Sequence, residues 1–226
     1  NFDSNKFTFY VQKDLTPEKT SNKKAVAFGA LPSIFDIDVN NIPFSKCYLN
    51  TEPLKVESFR GIFPSKKLKV GLVWQGNKHF GYDSQRSIAL EDFYSLLKIT
   101  EIEFYSLQKD SINDKELKNL PEDLKLHSLS QYLHNFSHTA AIIQHLDIVI
   151  SVCTATAHLA AAMGKETWIL VNNPVSGVYW GMEKENSPWY DSVTLFRRKT
   201  GEDSWKGAIS KVEEKLLHRV CSHERK

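Results

Sequence analysis

The 226 residues, 41% of them hydrophobic, are enough to bury a full core in one large domain, or in one domain with an appendage. Its 29 Lys and Arg nearly balance 27 Asp and Glu, and the resulting net charge of +2 gives no electrostatic ground for binding nucleic acid or a membrane surface. No apolar run reaches the roughly 18 residues of a spanning helix, the opening NFDSNKFTFYVQKD has no signal-peptide pattern, and Cys47, Cys153 and Cys221 are too far apart for a disulfide framework or a CxxC metal site; a soluble, cytoplasmic chain is expected.

In chain order, a candidate strand over 7–11 precedes a Lys, Thr, Ser and Asn-rich segment of loop composition. Between residues 24 and 49, short apolar runs alternate with turn formers, with a candidate strand over 25–28. A short linking helix is expected over 55–62, and Gly61, Pro64, Lys66 and Lys67 mark a break, placing a domain boundary near Pro64.

The pattern then becomes regular. Residues 70–74 read as a continuous apolar strand, while Leu90, Phe93, Tyr94, Leu96 and Leu97 fall at helical spacing. A second strand is expected over 102–107, a polar helix over 112–120 and a weaker third strand over 124–129. Residues 136–146 read as a helix capped by Ser137 or Asn135. A buried strand follows, Ile148 to Val152, then a polar turn and a small-residue helix closed by Gly164. Further strands are expected over 167–171 and 193–196, separated by a loop over 172–191 rich in Asn, Pro, Gly, Tyr and Trp. Trp205, Ile209, Val212, Leu216 and Val220 make one apolar stripe on a last helix. Apolar strands alternating with helices predict a parallel sheet covered on both faces.

In such sheets ligands lie outside the carboxyl ends of the strands, so the loops there carry the candidate chemistry. After the first strand, Gly76 allows close backbone approach, Gln75 and Asn77 can hydrogen-bond, and Arg86 offers a planar fork for phosphate; a plain solvated loop fits the same residues. After the second come Gln108 and Lys109, the latter either an anion contact or a solvated charge. The run DIVISVCTATAHLAAAMGK (147–165) is either an ordinary βα unit or an anion site, with Thr154 as N-cap and the amides of Ala155, Thr156 and Ala157 open to a diphosphate. His158 could donate to a phosphate or sugar oxygen, or be satisfied structurally. Tyr179, Trp180 and Trp189 could stack on a ligand or pin their loop to the core. Together these groups favour a phosphorylated, ring-containing ligand such as a nucleotide sugar. Neither GxGxxG nor GxxxxGK[ST] occurs, which argues against a dinucleotide dehydrogenase and a Walker-type NTPase. His134, His138 and His145 lack carboxylate or thiolate partners at ligand spacing, so no metal is inferred.

The stretches KVGLVWQGN (69–77), RSI (86–88), SLQK (106–109), CTATAHLAAAMGK (153–165) and SPWY (187–190) resemble, in order and spacing from about residue 69 to 217, the C-terminal half of glycosyltransferase family 9. The likeness is to its heptosyltransferase-related members, often fused to tetratricopeptide repeats. Upstream, residues 29–49 resemble the end of the family's other domain. The resemblance implies one half of a GT-B glycosyltransferase: a Rossmann-like doubly wound parallel sheet at 65–226 that binds the nucleotide-diphosphate sugar donor. Residues 1–64 would be a short irregular remnant of the acceptor-side domain and linker. It implies a hexosyl- or heptosyltransferase, or a fragment of one, acting on a glycan, lipid or protein acceptor, with a missing N-terminal domain or partner chain and no cofactor. Carried over residue by residue, Arg86 and Lys109 would contact phosphate or nucleotide, Thr154 to Ala157 would cradle the diphosphate, and His158 matches the family's His on that helix. The expected binding set is Gly76, Asn77, Arg86, Gln108, Lys109, Thr154, Ala155, Thr156, Ala157, His158 and Trp180, with no residue given a catalytic role. Cys153 stands where the family commonly has Asp, and the first 64 residues are too few for a second Rossmann-like domain. The alternative reading is a degenerate, non-catalytic nucleotide-sugar-binding or assembly module.

Overall fold

The computed structural model describes residues 26–43, 45–109, 116–172, 180–181, 185–199 and 201–223. They belong to two compact units, residues 1–43 and 44–226. In the first, a 3-10 turn (Phe28–Ala30) leads into a single helical turn, α1 (Leu31–Ile34), with Pro32 in the first turn where a missing N–H costs nothing. Asn41 closes the next turn, its Oδ1 accepting from the Asp38 amide at 2.6 Å and its Nδ2 donating to the Asp36 carbonyl at 2.7 Å. The strand expected over 25–28 is not formed by residues 26–28: Gly29 and Pro32 favour turns, and no other strand is present among this unit's described residues to supply a ladder. The candidate strand over 7–11 lies outside the described residues.

The second unit begins with α2 (Pro53–Ser58) and a 3-10 turn at Arg60–Ile62. Then come β1 (Leu68–Val73), α3 (Asp83–Arg86), a 3-10 turn (Leu90–Phe93) running into α4 (Tyr94–Leu97), and β2 (Ile102–Ser106). After β3 (His127–Ser128) and another 3-10 turn (Ser130–Tyr132) follow α5 (Phe136–Gln144), β4 (Ile148–Val152), α6 (Ala155–Ala162), β5 (Glu166–Val171), β6 (Val193–Arg197) and α7 (Lys206–His223). The six strands are parallel, in the order β3-β2-β1-β4-β5-β6. That order reverses between β1 and β4, so loops leaving these neighbours turn to opposite faces and open a crevice at their carboxyl ends.

Period-two alternation sorts the strand side chains between the two faces. Val70, Leu72, Ile148, Ile150, Trp168 and Leu170 pack with α4 and the stripe of α7, where Ile209, Val212 and Leu216 are buried. Val73, Tyr105 and Val149 pack with Ile142, Ile143 and Leu146 at α5, and Ile169 and Val171 with the alanines of α6. Gly71 makes room mid-strand: a Cβ there would come within 2.6 Å of Leu146 Cδ1 and 2.8 Å of Leu107 Cδ1, and these side chains would have to move.

Two elements differ from expectation in a physically readable way. Leu90, Phe93 and Leu96 are buried at intervals of three, the spacing that eclipses side chains in a 3-10 helix, and half of the expected α-helix is 3-10. The third strand shrinks to two residues, which pair with Tyr105 and Ser106 while Leu124 and Leu129 turn into the core outside the ladder. Of the polar helix expected over 112–120, 112–115 lie outside the described residues and 116–118 are helical.

The small-residue helix α6 ends as its sequence dictates. Gly164 has φ +71°, its amide donates to Ala161 O at 2.9 Å and the Lys165 amide to Ala160 O at 3.0 Å, a Schellman ending. The Tyr48 and Leu49 amides take up the Ala162 carbonyl at 2.9 and 3.1 Å, and Cys47 Cβ lies 2.9 Å from where a Cβ on Gly164 would sit. Gly164→Ala should therefore lower unfolding free energy by about 1 to 2 kcal/mol from the left-handed backbone alone, measured by urea denaturation; an unchanged midpoint would contradict this account of the helix end.

Candidate anion-binding site

A cavity of about 1000 Å³ opens at the carboxyl ends of β1, β2 and β4, near the upper size usual for small-ligand sites. Its walls are the loops leaving these strands and the first turns of α5 and α6: Gln75, Gly76, Asn77, Lys78, His79 and Arg86; Gln108 and Lys109; Asn135, Phe136 and Thr139; Thr154, Ala155 and Thr156; with Val73, Leu107 and Leu133 beneath.

Each wall is fixed by local chemistry. Trp74 Nε1 and Gln75 Nε2 donate to the two oxygens of Glu116 at 2.9 and 3.1 Å, and the Gln75 amide donates to Gln108 Oε1 at 3.0 Å, clipping the loops after β1 and β2 together. Lys109 Nζ reaches the His134 carbonyl at 3.4 Å, beside Asn135, whose side chain caps α5 by accepting from the His138 amide at 3.0 Å. Thr154 caps α6, its Oγ1 lying 3.3 Å from the Ala157 amide and 3.0 Å from Ser151 Oγ. Satisfying Ala157 in this way leaves the amides of Ala155 and Thr156, the first two helical residues, without a partner inside the helix.

Arg86 spans the crevice. Its Nε donates to Asp83 Oδ1 at 2.9 Å, its Nη1 to the Cys153 carbonyl at 2.7 Å, and its guanidinium lies 4.8 Å from the centre of the Phe80 ring. Arg86 is itself a lining residue of the cavity. Gly76 leaves room for the Arg86–Asp83 pair: a Cβ there would fall 2.4 Å from Arg86 Nη2 and 2.3 Å from Asp83 Oδ1, so a larger residue would displace them.

The ionisable side chains of the lining are all basic, although Arg86 is paired with Asp83. Lys78, His79, Arg86 and Lys109 are the ionisable side chains of the lining, no Asp or Glu is among the described lining residues, and two helix N-termini add their positive potential. A second groove, of about 400 Å³ between β6 and α7, is mixed in charge: Glu185 and Glu214 face Arg197, Lys211 and Lys215.

Of the residues expected from sequence, the structure brings together Gly76, Asn77, Arg86, Gln108, Lys109, Thr154, Ala155 and Thr156. It separates the other three from that lining. Ala157 is buried under α6, its amide spent on the cap. His158 Nδ1 lies 3.0 Å from Tyr190 Oη, and its ring stacks on Trp180 with centroids 4.7 Å apart. Trp180, 1% exposed, donates from Nε1 to Cys153 Sγ at 3.1 Å, and Arg197 Nη2 donates to its carbonyl at 2.6 Å. Trp180 thus belongs to the core. Trp189 packs against the same cluster, and Tyr179 lies outside the described residues. The site residues that sequence reasoning passed over are Lys78, His79, Asp83, Asn135 (read only as a cap) and Thr139; the i,i+3 spacing of Asp83 and Arg86 was the available signal.

No family model and no curated protein sequence matches the chain. Among solved structures it is similar to E. coli ADP-heptose lipopolysaccharide heptosyltransferase II, with a TM-score of 0.54 and 14% identity, covering 78% of this chain and 54% of that one. It is also similar to E. coli heptosyltransferase WaaC with ADP-2-deoxy-2-fluoro heptose, with a TM-score of 0.49, 15% identity, and coverage of 73% and 47%. The chain therefore spans about half the length of both enzymes. The fold is a Rossmann-like parallel α/β sheet, similar to that of heptosyltransferase II. No described helix is long and apolar enough to cross a membrane.

Burial lowers the pKa of His158 below its ordinary 6.5. Below that value the unfolded chain takes up a proton that the folded chain resists, so this residue's contribution is complete above pH 6.5 and is lost as pH falls toward the lowered folded value. Urea unfolding at pH 7.5 and 5.5 should show a larger acid loss for the wild type than for His158→Gln; equal losses would contradict the burial of a neutral imidazole.

Proposed function

We propose that residues 65–226 bind the diphosphate of a nucleotide-sugar donor, as the donor-side, C-terminal half of a GT-B glycosyltransferase. Residues 1–64 are then a linker and remnant of the acceptor-side domain. The observation that carries this reading is the cavity whose ionisable lining is all basic. Two free amides at the start of α6, the Arg86 guanidinium and Lys109 converge on about 1000 Å³ of space with no carboxylate among the described lining residues.

An anion of two phosphoryl groups fits that arrangement. The α6 amides can donate to one group, Thr156 can add a hydroxyl, and Arg86 offers its uncommitted N–H groups, while Lys109 supplies a mobile charge near the mouth. In glycosyl transfer, negative charge grows on the departing nucleoside diphosphate, so groups fixed in advance around it lower the barrier. Val73, Leu107 and Leu133 supply an apolar floor for a ring. Further support comes from the fold shared with heptosyltransferase II, whose name specifies an ADP-heptose donor and a lipopolysaccharide acceptor. The acceptor, a glycan, lipid or protein, would be presented by a segment or chain beyond the residues described, and a cytoplasmic site of action belongs to the same reading.

One observation favours the second reading, a binding module without turnover. Cys153 occupies the turn before α6, and its sulfur accepts from the buried Trp180 indole, so this position offers the cavity no carboxylate to orient a sugar.

Calorimetric titration with ADP, GDP and UDP, and with their sugar conjugates, should detect binding at the wild-type site. Arg86→Ala should weaken it by about 1 to 3 kcal/mol, roughly 5- to 150-fold, and Lys109→Ala by less because its side chain is exposed and screened. Absence of binding by every member of the panel would overturn the diphosphate reading. Transfer or hydrolysis by the chain alone would overturn the module reading.

A further inference from the structure

We propose that Asp83 is the positioning residue of this site, holding Arg86 in the orientation that presents its free N–H groups to the anion; the inference rests on the diphosphate reading above. Asp83 is 7% exposed, bonded to Arg86, and not one of the cavity-lining residues. A carboxylate so close to an anion site is unfavourable by charge alone, so its presence calls for a compensating purpose.

The geometry supplies one. Asp83 Oδ1 accepts from Arg86 Nε at 2.9 Å, and Oδ2 accepts from Ser87 Oγ at 2.8 Å. Ser87 Oγ in turn accepts from the Gly76 amide at 2.9 Å, and the Ser87 amide donates to the Asp83 carbonyl at 2.8 Å. The carboxylate is thus fixed from the backbone of the loop after β1, with both oxygens engaged. Arg86 is then confined on several sides. Its Nε edge faces Asp83, Nη1 reaches the Cys153 carbonyl at 2.7 Å, one face meets Phe80, and Gly76 leaves the room beside Nη2. Arg86 is also a lining residue of the cavity, and its uncommitted N–H groups are the ones it can offer there. An arginine is charged without help, so the contribution of Asp83 is direction: without it the long side chain regains rotamers in which the guanidinium misses the ligand.

The test is a double-mutant cycle on anion affinity, with ADP, GDP, UDP and inorganic pyrophosphate as probes and circular dichroism to match folded fractions. Asp83→Asn should weaken binding about tenfold and cause no further loss in an Arg86→Ala background. An equal loss in both backgrounds, or none in either, would overturn the proposal. A readout independent of ligand is solvent exchange of the Arg86 Nε–H by NMR, expected to be slow in the wild type and fast in Asp83→Asn; equal rates would also overturn it. If Asp83→Asn fails to fold, Ser87→Ala, which frees Oδ2, should give a smaller loss in the same direction, again absent without Arg86. Wild-type protein that binds none of the probes would overturn the diphosphate reading, and the exchange rate would then decide the positioning claim by itself.

Discussion

The hydrogen bond from Arg86 to the Cys153 carbonyl, 2.7 Å long, crosses the sheet where its strand order reverses. At that point the chain has no continuous backbone to hold the crevice in shape. β1 and β4 are paired side by side, but the loops leaving them diverge, and everything a ligand could touch hangs from those loops. A charge-assisted bond across the gap contributes on the order of 1.5 to 3 kcal/mol when largely screened from water, and Arg86 is only 19% exposed in its side chain. The α6 amides, Gly76 and the Gln75–Gln108 clip keep their mutual distances because this bond, together with the β1–β4 ladder, closes the frame.

Behind the turn the same economy of partners accounts for the aromatic loop. Cys153 gives its carbonyl to Arg86 on one side and its sulfur to Trp180 on the other. Trp180 is stacked on His158, and His158 meets Tyr190. The four residues join β4, α6 and the segment entering β6 into a single packed wall. Side chains read from sequence as ligand contacts are thereby part of what gives the cavity a rigid back. At position 153 the thiol acts as a weak, soft acceptor for the buried indole N–H.

Much of the fold could be read along the chain because its signals are local. β1, β4 and β5 are buried almost throughout on both faces, Thr154 has the hydroxyl a cap needs, Gly164 has the freedom a left-handed residue needs, and the stripe from Trp205 to Val220 has one period. The cavity-facing residues were legible for a different reason: parallel sheets put their loops at one edge, so loop residues with phosphate chemistry converge whatever their separation in sequence. What could not be read was the direction of individual side chains. Whether His158 and Trp180 face the cavity or the core depends on which side of α6 the following loop packs, a tertiary fact with no local signature. Asp83 was overlooked because a carboxylate in a polar loop resembles any solvated one until its burial is known, and the 3-10 turn at Leu90 was hidden because three-residue spacing also occurs within an α-helical stripe.

The central claim is that an anion binds on the first amides of α6, and backbone NMR on the wild-type chain tests it most directly. On titration with a nucleoside diphosphate, the amide signals of Ala155 and Thr156 should move farthest downfield, with Gly76 following, as new hydrogen bonds to phosphate form. Shifts confined to the mixed-charge groove between β6 and α7, or α6 amides that stay in place at saturation, would contradict it.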